Sequence, residues 1–263
     1  MHLRLSNGLA LAYHVHGAGR PVMFLHPIGT CGAFWDPLVE RIQHRCRCIT
    51  VDLRGHGDSD VPRERFTLSD LADDVIELLR IESKNDAVLV GCSLGGMVAQ
   101  ALALKAPELL SGLVLADTGH RQTEESRKAV LQRAEDSLQG MPAMLNSTLT
   151  RWFPARFLAL NGAEVQSCRK WLLDDDPVVF SWGWQAISEL DFGDRLAEIQ
   201  QPTLVIRGSA DASSARETMQ AMAQLLPHSR YAEIEGAGHV APLEQPDSFA
   251  EILLDFLAKD LPA

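Results

Sequence analysis

Residues 89–103 read LVGCSLGGMVAQALA, and this stretch decides how the rest of the chain is read. It begins as the short apolar run of a buried strand and ends with helical spacing, so a sharp turn lies between the two. One hydroxyl, Ser93, sits at that turn within Gly91-Cys92-Ser93-Leu94-Gly95-Gly96, the pattern G-x-S-x-G. Such a turn strains the serine backbone and brings neighbouring chain close. Its flanks must therefore be small, while Oγ projects above the carboxyl edge of a sheet. The N–H of Leu94, at the head of the helix, then points to where an oxyanion would form.

Working outward, similar apolar runs occur at VMFL (22–25), CITVDL (48–53), LVLAD (113–117) and TLVIRG (203–208). They read as strands buried on both faces, as in a parallel sheet covered by helices. Ahead of them, Leu3, Leu5, Leu9 and Leu11 alternate around Asn7-Gly8, which predicts an opening β-hairpin with a type I′ turn. Helical patterns alternate with the runs. Leu68, Leu71, Val75, Leu78 and Leu79 form one stripe behind Thr67 and Asp70 at capping-box spacing; residues 94–106 form a second helix, stopped by Pro107; Phe249, Ile252, Leu253, Phe256 and Leu257 mark a third, with Pro246 in its first turn. Strand and helix in alternation argue for a doubly wound sheet. Between residues 120 and 190 the rhythm breaks: helical stretches, a hinge-like QGMP at 139–142 and the aromatic-rich RWFPARF and FSWGW replace any strand.

The bulk properties narrow the function. A chain of 263 residues with 46% hydrophobic side chains has ample material for a large core. Its formal net charge of −11 repels phosphate backbones and anionic lipid, so neither nucleic acid nor membrane is an expected partner, and an anionic substrate would need a local arginine. Five cysteines without CxxC or zinc-type spacing fit free thiols in a reducing compartment. With no signal-peptide pattern and no membrane-length apolar run, a cytoplasmic location is expected, for a monomer or a homodimer.

A bare G-x-S-x-G fits an idle turn serine as well as a nucleophile, so the context must decide. A serine needs a base, and the base needs an orienting carboxylate. Downstream, RGSAD ends one buried strand at Asp211 and IEGAGHVAPLEQP follows another at His239, which gives the order Ser, Asp, His. Asp117 also ends a buried strand and competes with Asp211 as the acid. Upstream, FLHPIGT closes the VMFL strand where a second oxyanion-hole amide belongs, that of Ile28. His26 shapes this loop and counts as a candidate substrate-binding position beside it. Cys92 is expected to pack beneath the turn. His14 and His16 share one strand face but have no third metal ligand in the pattern. Trp182 and Trp184, two apart on a helix, cannot both face one pocket.

Taken together, HPIGT, VDLRGHGDSD, GCSLGGM, GSAD and GAGHVAPLEQP resemble the α/β-hydrolase superfamily, in features running in order from residue 3 to residue 257. Within it, GCSLGGMVAQALALKAPELLSGLVLADT, RWF (151–153) and DFGDRLAEIQQPTLVIRGSAD are similar to 3-oxoadipate enol-lactonases and related esterases. The chain departs from them at His26-Pro27, where such lactonases often carry a Ser-Asn pair. The resemblance implies an α/β fold: an α/β-hydrolase core over 1–119 and 191–263, doubly wound and mostly parallel, with a helical lid over 120–190 inserted after the sixth strand. It also implies a Ser93–Asp211–His239 triad that cleaves a small ester or lactone, with an acidic enol-lactone among the candidates, and that needs no metal or organic cofactor. Arg151 would then pair with a substrate carboxylate and Trp152 would wall the pocket. A plainer reading leaves Arg151 on the lid surface and Trp152 between lid helices. The same triad also serves C–C bond hydrolases, perhydrolases and cofactor-free oxygenases, and some relatives are ligand sensors.

Overall fold

A computed structural model describes residues 1–83 and 85–261, so the last two residues expected in the core segment lie outside it. Eight strands form one sheet in the order β1-β2-β4-β3-β5-β6-β7-β8. They are β1 His2–Arg4, β2 Ala10–His16, β3 Pro21–Leu25, β4 Arg47–Val51, β5 Ala87–Cys92, β6 Leu110–Ala116, β7 Thr203–Gly208 and β8 Ser229–Ile234. β2 runs antiparallel to β1 and β4, and every later pairing is parallel. All positions of β3, β5 and β7 are buried, as continuous apolar runs in a doubly covered sheet require.

Two details differ from the sequence expectations. The hairpin turn is not type I′, because only Gly8 has positive φ (+88°), and Asn7 does not. Leu5 N–H bonds to the Leu9 carbonyl, and Gly8 N–H to the Leu5 carbonyl. This is a three-residue loop with glycine in the left-handed position, and Asn7 instead uses its side-chain oxygen to accept the Leu9 N–H at 2.9 Å. The second correction concerns β8, the strand before His239, which is half-buried along most of its length because it closes the sheet's edge.

Eleven α-helices are found among the described residues. Those of the sheet region are α1 Asp36–Ile42, α2 Leu68–Glu82, α3 Leu94–Lys105, α9 Arg216–Leu225, α10 Ala241–Glu244 and α11 Pro246–Lys259. The Thr67/Asp70 capping box of α2 is made in both directions, and its predicted apolar stripe is buried. α2 packs on α3 and α1 on α11, and α3 lies against the central strands β3, β5 and β6. Between β6 and β7 come α4 Glu124–Ser137, α5 Met141–Trp152, α6 Ala155–Leu160, α7 Ala163–Asp174 and α8 Pro177–Ser188, so the helical insertion follows the sixth strand. No described helix is long and apolar enough to cross a membrane.

The strand order reverses at β3, which lies between β4 and β5. Chain leaving the carboxyl ends of β3 and β5 therefore diverges, and a crevice opens there. The β3 end carries His26–Thr30, and the β5 end carries Ser93.

Candidate active site

Ser93 adopts φ 53° and ψ −115°, a conformation that few non-glycine residues occupy. It is held there from three directions: its N–H donates to the Ala116 carbonyl (3.0 Å), while its carbonyl accepts from Met97 N–H (3.1 Å) and from the Thr118 hydroxyl (2.7 Å). The glycines around it have a steric cause. A Cβ on Gly91 would stand 2.2 Å from the Gly95 carbonyl oxygen, and one on Gly95 would stand 2.1 Å from that of Leu25. Close approach of β5, α3 and β3 thus sets the small residues, and the serine side chain is the one that turns outward.

Ser93 Oγ lies 2.9 Å from His239 Nε2, and His239 Nδ1 lies 3.0 Å from Asp211 Oδ2. All three residues are at least nine-tenths buried. His239 N–H donates to the Trp152 carbonyl (2.8 Å), which ties the imidazole loop to the end of α5. Asp211 Oδ1 accepts the Ser213 N–H at 2.6 Å. The buried Arg207 holds the turn beneath, donating to the carbonyls of Asp211 (2.7 Å) and Ser214 (2.9 Å). Burial alone would raise the Asp211 pKa, but the His239 imidazole and the Ser213 and Ser214 amides outweigh it and hold the carboxyl below its ordinary value.

Asp117, the competing acid, accepts the Gly208 N–H through Oδ1 at 2.7 Å and points at no imidazole. Full burial, then the charge of Asp211, push its pKa well above the carboxylate range. Of the two acids, Asp211 meets the histidine, and Asp117 braces the β7 end that carries it.

A hydroxyl, an imidazole and a carboxylate in line above a parallel sheet, at the strand-to-helix turn of a G-x-S-x-G, point to one family. The model of the "Alpha/beta hydrolase family" matches residues 14–252. The chain belongs to that family. It is similar to 3-oxoadipate enol-lactonase 1 of Acinetobacter baylyi, at 29% identity over 95% of this chain and 94% of that protein. Among solved structures it resembles a malate-bound thermophilic esterase from Thermogutta terrifontis, with a TM-score of 0.92, 29% identity, and coverage of 100% and 99% of the two chains. It also resembles the enol-lactonase from Burkholderia xenovorans LB400, with a TM-score of 0.91, 26% identity, and coverage of 98% and 100%.

Other features of this α/β hydrolase follow from the loops around the triad. Ile28 is buried on the β3 loop beside Gly29, which has φ +75°; a Cβ there would press on Leu172 and Phe180 of the insertion. Leu94 heads α3, whose first N–H groups have no intrahelical acceptor. His26 requires a correction: it is fully buried and both ring nitrogens are taken, so it does not face a substrate. Nδ1–H donates to the Pro27 carbonyl (2.8 Å), Nε2 accepts the Leu53 N–H (3.0 Å), and burial with His56 close by lowers its pKa to about 3. It is a neutral brace of the loop.

Arg151, on α5 of the insertion, is half-buried with Nη2 3.2 Å from the Ser213 hydroxyl, and is not free on the surface. Trp152 is buried among the insertion's core residues, and its connection to the triad is its carbonyl. The two tryptophans of α8 diverge: Trp184 packs at 6.0 Å on Phe180, Trp182 at 6.5 Å on Phe66. His14 and His16 are exposed, and no described group of three or more His, Cys, Asp or Glu could hold a metal. All five cysteines are free, and Cys92 is fully buried. Sequence reasoning missed Arg207, although an arginine inside the buried run TLVIRG is a visible signal. The Trp152 carbonyl left no signal, because any residue supplies one.

Proposed function

We propose that this α/β hydrolase cleaves a small carboxylic ester or lactone through an acyl-enzyme. The observation that carries the reading is the hydrogen-bonded chain from Ser93 Oγ through His239 to Asp211, at 2.9 and 3.0 Å, at the crevice of the sheet. In this mechanism His239 Nε2 takes the Ser93 proton as Oγ attacks the carbonyl. The amides of Leu94 and Ile28 hold the oxyanion, and Asp211 stabilises the imidazolium. Imidazolium then protonates the leaving oxygen, and water repeats the attack on the acyl group. For a lactone the leaving alcohol stays tethered, so the helical insertion over 120–190, acting as a lid, must admit water before the ring closes again.

An acidic enol-lactone fits within this reading, supported by two similar proteins named as enol-lactonases and by an esterase solved with malate bound. Purified enzyme assayed on p-nitrophenyl acetate and on simple lactones tests the proposal. Ser93→Ala and His239→Ala should each lower kcat/KM by about a thousandfold or more while circular dichroism stays unchanged. Turnover by either variant near the parent rate contradicts it.

A further inference from the structure

Three helices of the insertion bring together a group that the triad chemistry does not use. Trp184 of α8 has two guanidinium groups at its ring, from Arg133 of α4 and Arg151 of α5, each with Cζ 5.6 Å from the ring centroid. Among the described residues neither arginine is ion-paired with a carboxylate; Arg151 finds only the Ser213 hydroxyl. The indole Nε1–H of Trp184, a residue 8% exposed, is buried without an acceptor among the described residues.

Two partly desolvated cations facing one ring repel each other, and a buried donor without an acceptor carries a penalty. The cost is visible in Arg151, where burial and then the charge of Arg133 lower the pKa to about 10. Asp211 and Asp136 act on Arg151 and Arg133 only from a distance, and among the described residues no carboxylate pairs directly with either guanidinium, in a chain whose formal net charge is −11. The cluster also adjoins the triad, because Ser213, which accepts from Arg151, donates its N–H to Asp211 at 2.6 Å. Next in sequence to Arg151, Trp152 supplies the carbonyl that holds His239.

We propose that Arg133, Arg151 and the Trp184 indole N–H anchor a carboxylate that the substrate carries away from its scissile carbonyl, and that Arg133 sets the preference for acidic over neutral esters. The inference rests on the hydrolase reading above. It adds to that reading a residue, Arg133, that the sequence pattern does not single out. The planar guanidinium fork matches a carboxylate, and the anion relieves both the repulsion and the orphaned indole.

The test compares monoethyl succinate with ethyl 4-methylpentanoate, in which an isopropyl group replaces the carboxylate. The parent enzyme should favour the acidic ester in kcat/KM, and Arg133→Met should reduce the acidic-to-neutral ratio about tenfold or more, mainly through KM. Arg133→Lys, which keeps a charge, should recover part of that ratio. A packing role alone would move both esters together, and an unchanged ratio overturns the anchor. Should Arg133→Met fail to fold, inhibition of the parent enzyme by succinate against succinamide reads the same site, and equal inhibition overturns it. Should the parent turn over neither ester, the hydrolase reading is judged separately on p-nitrophenyl acetate and lactones, and calorimetry of succinate with the Ser93→Ala protein still decides the anchor: binding weakened by adding Arg133→Lys supports it, and no binding overturns it.

Discussion

At the sheet edge a methyl group has nowhere to go: a Cβ on Gly95 would lie 2.1 Å from the Leu25 carbonyl oxygen. In the insertion the corresponding collision is soft, since a Cβ on Gly183 would meet the tip of the Ile28 side chain at 2.7 Å. Backbone packs on backbone around Ser93, and side chain packs on side chain above it. Hence close backbone packing holds the reacting groups in place, while side-chain packing in the insertion can absorb change, except at the Trp152 carbonyl that accepts the His239 N–H.

The sharpest way to break this contrast lies in the two acids. Asp211→Asn should lower kcat by about 10³ to 10⁴, because the imidazole loses its orienting charge, as in other triads. Asp117→Asn should stay within about tenfold of the parent, since an amide oxygen still accepts the Gly208 N–H and no imidazole depends on the carboxyl, whose charged form burial disfavours. Steady-state ester kinetics reads both, and a reversed order would move the acid to β6. Next in size come the glycines. Gly95→Ala should cost about 3 kcal/mol or more in urea unfolding, and Gly183→Ala about 1 kcal/mol or less, with its effect on KM instead.

The acids also differ in how stability depends on pH. Asp117 has a raised pKa in the folded protein, so above about pH 4 the unfolded chain releases a proton that the folded chain keeps. Its contribution is therefore lost as pH rises from the ordinary carboxylate value towards the raised folded one. Asp211 behaves oppositely: its pKa is depressed, and its contribution is lost only as pH falls below the ordinary carboxylate value. Urea unfolding at pH 5 and pH 7 should show Asp117→Asn gaining on the parent as pH rises, and a constant difference would mean that Asp117 is ionised.

The smallest expected effect compares two capping boxes, Thr67 before α2 and Thr123 before α4. Thr67→Ala should cost about 1 kcal/mol of global stability. Thr123→Ala should cost less, and mostly as faster amide exchange within α4, which has few buried residues. Equal global costs would show that the insertion unfolds only with the sheet.

The same contrast explains what could be read from the sequence. β7 matches its predicted range of 203–208, and Ser93, Asp211 and His239 stand at the strand ends where the motif order put them, because these features follow from buried runs and tight turns. The hairpin turn was misread because Asn-Gly suits both a type I′ turn and a glycine-terminated loop, and the Asn7 side chain decides between them. His26 shapes its loop as expected, but its substrate-facing role falls away, because a histidine beside the oxyanion loop looks the same in sequence whether its nitrogens meet substrate or the Leu53 backbone. Arg133 was invisible because its meaning depends on α4, α5 and α8 converging on Trp184, and helical periodicity does not specify which helices meet.

The proposed chemistry requires Ser93 to be the activated nucleophile. Incubation with a small fluorophosphonate, followed by intact-protein and peptide mass spectrometry, tests it directly. One adduct per chain is expected, on the peptide containing Ser93, with ester turnover falling in step and no adduct on Ser93→Ala. Continued ester turnover with Ser93 fully labelled, or an adduct on a different residue that alone accounts for the loss of activity, would contradict it.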